Sequence, residues 1–185
     1  MKNIKIIKSK RKTISLQIKP NGIIELRVPI QMNAVQIQEF LDKKSSWIEK
    51  HLQAVEEYQH QISQVKPLTA KEIEALANQA LKIIPARVAY FAEIIGVTYG
   101  RITIRNQKSR WGSCSSKGNL NFNCALMLAP PEVLDSVIVH ELCHRKHMNH
   151  SKEFYNEVYR VFPEYDKWNN WLKENGALLI YRITN

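Results

Sequence analysis

The sequence predicts an α+β fold, from three observations. Period-two alternation marks short strands in two separated stretches, period-3.6 apolar stripes mark helices between and after them, and proline, glycine and capping residues fall at the joints. Residues 13–18 alternate polar and apolar side chains, Pro20-Asn21-Gly22 supplies turn chemistry, and residues 23–28 resume the alternation, which makes a β-hairpin. Helical spacing follows Pro29 over about residues 34–61, carried by Val35, Ile37, Phe40, Leu41, Trp47, Ile48 and Leu52, with a break expected at Ser45-Ser46.

A boundary near Pro67 separates an N-terminal hairpin and helical segment, residues 1–66, from a core formed by residues 67–185. Thr69 followed by Glu72 reads as a capping box that opens a helix; Pro85 should kink or restart it before it ends near Gly96. Residues 99–105 alternate again as a strand. A Gly/Ser-rich turn at residues 113–118 comes next, and Leu120, Phe122, Cys124, Leu126 and Leu128 then place apolar groups at every second position, a further strand. Pro130-Pro131 ends it and starts a helix, with Val133, Leu134, Val137 and Ile138 as the core stripe. Further helices are expected over about residues 151–161 and 165–174.

Composition narrows the function classes. A chain of 185 residues, 44% hydrophobic and 24% charged, can bury a core without disulfide staples. No run approaches the ~18 consecutive apolar residues of a membrane span. The N-terminus, Met1 to Lys8, lacks a sustained apolar stretch and a small-residue cleavage site, which argues against a secretory signal. Cys114, Cys124 and Cys143 are odd in number and lack CxxC spacing, so a reducing, cytoplasmic setting is expected. The net charge is +10, with six of the first twelve residues Lys or Arg and no acid before Glu25. That bias reads first as a solvated basic surface, with nucleic acid or phosphate as the partner it would attract.

The chemistry concentrates in His140-Glu141-Leu142-Cys143-His144. Positions i and i+4 share one face of a helix, so both imidazoles can reach one ion. Zinc suits imidazole ligands, and a catalytic site needs three protein ligands and an open position. Glu141, beside the first ligand, is placed as general base toward a water activated on the ion. The third ligand lies between His147 and His150. On a continuing helix His147 would stand ~10 Å along the axis from His140, whereas His150 folds back if the helix ends near Met148-Asn149, with asparagine as a left-handed cap and Ser151 capping the next helix. Geometry therefore favours His150. Cys143 points away from the ligand face and reads as a small buried residue, as do Cys114 and Cys124. Tyr155 and Tyr159 are candidate transition-state donors. Glu153 reads as a solvated acid before it reads as an orienter of an imidazole, and Trp168 and Trp171 as packing.

Several linked motifs carry a family resemblance: Arg110-Trp-Gly-Ser-Cys-Ser-Ser-Lys-Gly118, Leu120-Asn-Phe-Asn123, Pro130-Pro131, the His140–His144 motif, His147-Met-Asn-His-Ser151 and Phe154. Over about residues 105–171 the chain resembles the YgjP-like metal-dependent hydrolases, which group with SprT-like and WLM metallopeptidases among the zincins. The resemblance implies a zincin-like fold with the active-site helix packed on a small sheet. It implies one zinc ion per chain on His140, His144 and His150, and Glu141 as the base. It also implies an edge strand that aligns an extended peptide, expected around residues 120–126.

Arg110, Asn121 and Asn123 are the candidate substrate or transition-state contacts. The expected activity is zinc-dependent peptide-bond hydrolysis on peptide or protein substrates. The alternative is metal-dependent hydrolysis of nucleotides or other small phosphorylated compounds, although no G-x-x-x-x-G-K-[ST] loop is present to cradle phosphate. A third reading is a basic nucleic-acid-associated module, with Lys8, Lys10, Arg11 and Lys12 on the phosphates. The sequence leaves the oligomeric state open.

Overall fold

The chain divides into two units, Met1–Gln64 and Val65–Asn185, in a computed structural model that describes residues 3–184. Of the basic N-terminus, Met1 and Lys2 lie outside the described residues.

In the first unit the predicted hairpin forms from β2 (Ser15–Ile18) and β3 (Ile24–Pro29), antiparallel with Ser15 opposite Arg27 and Ile18 opposite Ile24. Gly22, at φ 77°, takes the left-handed position that the turn requires. A strand the alternation did not reveal, β1 (Ile4–Ser9), pairs in parallel with the other side of β3. Ile7 and Lys8 fall out of the alternation begun by Ile4, Lys5 and Ile6, which hid it. β3 is thus central, and its Ile24, Leu26 and Val28 are fully buried. α1 (Ala34–Lys43) opens on a reciprocal cap between Asn33 and Gln36, and α2 (Ser45–Gln64) follows after the single residue Lys44. Ile37 packs with Leu26 and Val28 in this unit's core.

The second unit begins with α3 (Ala70–Ile95). Thr69 and Glu72 form the expected capping box, and Gly96 ends the helix in the left-handed conformation at φ 74°. Pro85 does not restart the helix, which continues through it to Ile95. Ile84 and Val88, on either side, are both fully buried, and their packing offsets the hydrogen bond that proline cannot make.

β4 (Ile102–Arg105), β5 (Gly112–Cys114) and β6 (Leu120–Asn123) form the second sheet, in the order β4-β6-β5. β6 lies parallel to β4 and antiparallel to β5. The apolar alternation expected to continue to residue 128 stops at Asn123, and Cys124–Leu128 is a short 3-10 helix. The Asn123 side chain accepts a hydrogen bond from the Ala125 N–H at 3.1 Å and turns the backbone there. Cys124 and Leu126 are buried all the same, because the core surrounds that turn.

α4 (Pro131–Cys143) starts at the proline pair and packs on α3, β5 and α6 (Tyr165–Thr184). Its Ile138, Val139 and Leu142 are fully buried. α5 (Lys152–Val161) begins at Ser151, whose hydroxyl accepts from the Phe154 N–H. α6 continues past residue 174 to Thr184, since Leu179 and Ile183 on its later turns are also buried. This is the α+β arrangement the sequence predicts, with the helix bearing His140 packed on a small sheet. No helix among the described residues is long and apolar enough to cross a membrane.

Candidate metal centre

The last turn of α4 carries His140 and Glu141, and His144 is its C-terminal cap. The helix ends at Cys143, earlier than the sequence suggests, and the N–H groups of Arg145, Lys146 and His147 fold back onto the carbonyls of Leu142 and Cys143. Asn149 is not a left-handed cap, for no described residue other than glycine has positive φ. The early exit brings His150 back over the helix end. One ligand atom from each of His140, His144 and His150 then lies within 4.8 Å of the others. The Nε2 atoms of His140 and His150 are 3.0 Å apart. Tetrahedral zinc with bonds of about 2.0–2.1 Å would set its nitrogens roughly 3.3 Å apart, so the donor set and spacing fit such an ion.

The outer ring nitrogens are held by oxygen. His140 Nδ1 is 2.9 Å from the Tyr165 hydroxyl, and His144 Nδ1 is 3.1 Å from the backbone carbonyl of His147. With Nδ1 occupied, Nε2 of each ring is left to face the centre. His147 therefore serves the cluster through its carbonyl. Phe154, fully buried, forms the floor, stacking on His144 at 4.7 Å and meeting His140 and His150 edge-on. Burial, then the nearby His144 and His150, pushes the His140 pKa down to about 4, and burial lowers His144 too. Both rings are held in the neutral form that binds metal.

Glu141 is 7% exposed. Burial raises its pKa to about 7, opposed by a hydrogen bond from the Cys114 N–H on β5. Strand β5 approaches this carboxylate so closely that a Cβ at Gly112 would stand 2.7 Å from Glu141 Cγ and Oε1. Only glycine fits between the strand and the acid. Cys114 itself is a half-buried free thiol, and Cys124 and Cys143 are buried. The Cys143 thiol is pushed up to about 12, chiefly by burial.

Of the other residues singled out from sequence, Arg110 lines a cleft that includes His140 and Glu141. Asn121 and Asn123 are not brought to the cluster. Asn121 accepts from Arg105 and donates to Ser113 across the sheet. Asn123, fully buried, donates to the carbonyls of Gln107 and Arg110. Its amide holds the loop that leads into β5. Glu153 is held below the usual carboxylate range first by a hydrogen bond from Ser151, so it belongs to the start of α5. Tyr159 donates to Asp166, and Tyr155 packs its ring 6.2 Å from that of His150. Trp168 and Trp171 pack on the main core.

The sequence reading missed Tyr165 and the contact between β5 and Glu141. The Trp111-Gly112 step was visible, but no one-dimensional signal paired it with an acid 29 positions later. β6 (Leu120–Asn123), in the stretch expected to align a peptide, is hydrogen-bonded to a strand on each side, and β5 is the edge strand that packs on α4.

Two solved metallopeptidase zymogens are similar to this chain. Abylysin of Pyrococcus abyssi is 23% identical, the match covering 50% of this chain and 94% of that one, with a TM-score of 0.45. Jannalysin of Methanocaldococcus jannaschii is 25% identical over 50% of this chain and 95% of its own, also at 0.45. No curated protein matches. The family model described as YgjP-like, metallopeptidase domain, matches residues 12–74 and 66–175, and the chain belongs to that family.

Proposed function

We propose that this chain is a zinc-dependent peptidase in which His140, His144 and His150 hold one ion through Nε2 and Glu141 is the general base. One observation carries the reading: three imidazole nitrogens converge within 4.8 Å at the end of the helix that also presents the buried Glu141. Bound there, zinc would polarise a peptide carbonyl and acidify water. The Glu141 carboxylate takes the proton of the attacking water and delivers it to the departing amine. Gly112 and the Cys114 N–H fix where that carboxylate sits. Tyr165 and the His147 carbonyl keep His140 and His144 turned inward. The edge of β5 is where an extended substrate would lie, adding its backbone to the sheet. An odd number of cysteines without CxxC spacing suits a cytoplasmic enzyme.

The test has two parts. Elemental analysis of the purified protein should give about one zinc per chain, lost in a His140→Ala/His150→Ala variant. Glu141→Gln should keep the zinc and lower peptide cleavage by about 10²–10⁴-fold. Metal-dependent phosphate release from nucleoside triphosphates, with no peptide cleaved, would overturn the peptidase reading and favour phosphoester chemistry.

A further inference from the structure

A cleft of about 250 Å³ leads away from His140 and Glu141 between α4, β5 and α6. Its walls are apolar: Trp111 from the chain entering β5, Val137 from α4, and Tyr165 and Leu172 from α6. The Trp111 wall is rigid. Its indole lies flush against α6 at Gly176, where a Cβ would stand 2.8 Å from the ring. Beyond His140 and Glu141 the polar lining consists of Ser109, Ser136, Arg110 and Asn169, and the last two carry the larger hydrogen-bonding groups. The side chains that matter for a substrate are Arg110 and Asn169. Among the described residues neither has a hydrogen-bond or ion-pair partner for its side chain. Glu141 is the only acid in the lining.

These features select a ligand. The volume falls below the ~300–1,000 Å³ of small-molecule sites. It exceeds the roughly 30 Å³ of a single water several-fold. One side chain of leucine to phenylalanine size fits. A basic side chain would meet the Arg110 guanidinium, and the one acid in the lining, Glu141, is the group proposed above as the general base. The idle donors of Arg110 and Asn169 call for oxygen acceptors next to that apolar group, either a main-chain carbonyl or a C-terminal carboxylate.

We propose that this cleft is the specificity pocket of the enzyme. It admits one uncharged apolar side chain flanking the scissile bond and rejects lysine and arginine, with Arg110 and Asn169 holding a substrate oxygen beside it. The assignment rests on the peptidase reading but can be tested apart from catalysis. Metal-free protein is titrated with N-acetyl-leucine amide, N-acetyl-lysine amide and N-acetyl-leucine, while NMR follows the Trp111 indole N–H and the Asn169 side-chain amide.

Leucine amide should shift both signals and bind at least about tenfold more tightly than lysine amide. A further gain with N-acetyl-leucine assigns the acceptor as a terminal carboxylate; equal binding assigns it as a main-chain carbonyl. The exposed Arg110→Glu substitution should bring lysine amide to within about twofold of leucine amide. Leu172→Ala should shift preference toward phenylalanine and tryptophan amides. Equal binding of leucine and lysine amides, or a preference untouched by Arg110→Glu, overturns the pocket. Peptide mapping with zinc-loaded protein separates the two readings: cleavage with no apolar preference removes the pocket alone, and amide selectivity without cleavage removes the peptidase alone.

Discussion

β2 and β5 hold the same place in two sheets of the same plan. In each sheet a central strand lies between a parallel neighbour and an antiparallel edge: β3 between β1 and β2, β6 between β4 and β5. Both central strands carry fully buried apolar residues, Leu26 and Val28 in one, Leu120 and Phe122 in the other. The edges differ. β2 reads Ser-Leu-Gln-Ile and presents full-sized side chains toward α2. β5 reads Gly-Ser-Cys and gives up bulk, so that α4 can bring the Glu141 carboxylate against its backbone. The frame alone therefore makes no site. The site depends on one edge small enough to let an acid come close and still offer it an N–H.

The largest effect that would break this contrast is expected at Gly112. Gly112→Ala puts a methyl carbon where Glu141 Cγ and Oε1 now stand 2.7 Å away. A displacement of ~1 Å in a catalytic group costs on the order of 10²-fold, so kcat should fall by about that much while zinc content stays at one per chain. The matching change on the other edge, Gln17→Ala at an exposed position, should leave kcat unaltered and stability within about 0.5 kcal/mol. Steady-state kinetics with metal analysis decides it. An alanine at position 112 that keeps kcat within about twofold would make the close approach incidental.

Tyr165 tests how far the second sheet's site also depends on α6. Tyr165→Phe removes the hydroxyl 2.9 Å from His140 Nδ1 and keeps the ring in its buried place. Loss of such an outer partner typically weakens metal affinity by ~10–100-fold. Chelator competition should show that loss. Tyr159→Phe, which severs only the bond to Asp166, should leave zinc affinity unchanged. Equal affinity in Tyr165→Phe would mean that packing alone orients His140.

What was legible in the sequence follows from what each feature needs. The hairpin, the capping boxes, the proline-opened α4 and the histidine spacing are all written within a few residues, and local patterns expose them. His150 was reachable because its separation from His140 rules out a continuing helix. β1 and β5 were hidden because Ile7-Lys8 puts one out of phase and the other is too short and small to alternate. Residues 124–128 kept a strand's alternation inside a 3-10 turn, since burial there comes from surrounding helices and not from a sheet face. Tyr165 and Gly112 reach the site only through the tertiary fold. Asn123, a candidate contact from the sequence, is spent on the loop before β5.

The smallest expected effect compares two acids, one per sheet region, each between two cations. Glu25 pairs with Arg27 and Lys19, and Glu157 with Lys146 and Arg160. Both carboxyls are held below their ordinary range. For Glu25 the first cause is the hydrogen bond from Arg27, and for Glu157, held at about 2, it is that from Arg160. A folded pKa beneath the unfolded value, near ~4.3, gives stability that is complete above that value and lost as pH falls from ~4.3 toward 2. Because the cations are partly exposed, the Glu157 contribution should be about 1 kcal/mol and not the full Coulombic gain. Denaturant unfolding should therefore show Glu157→Gln less stable than the parent at pH 7 and nearly equal to it at pH 2. Glu25→Gln should shift the same way. If the gap between Glu157→Gln and the parent persisted unchanged at pH 2, the loss would belong to packing of the side chain and not to its charge.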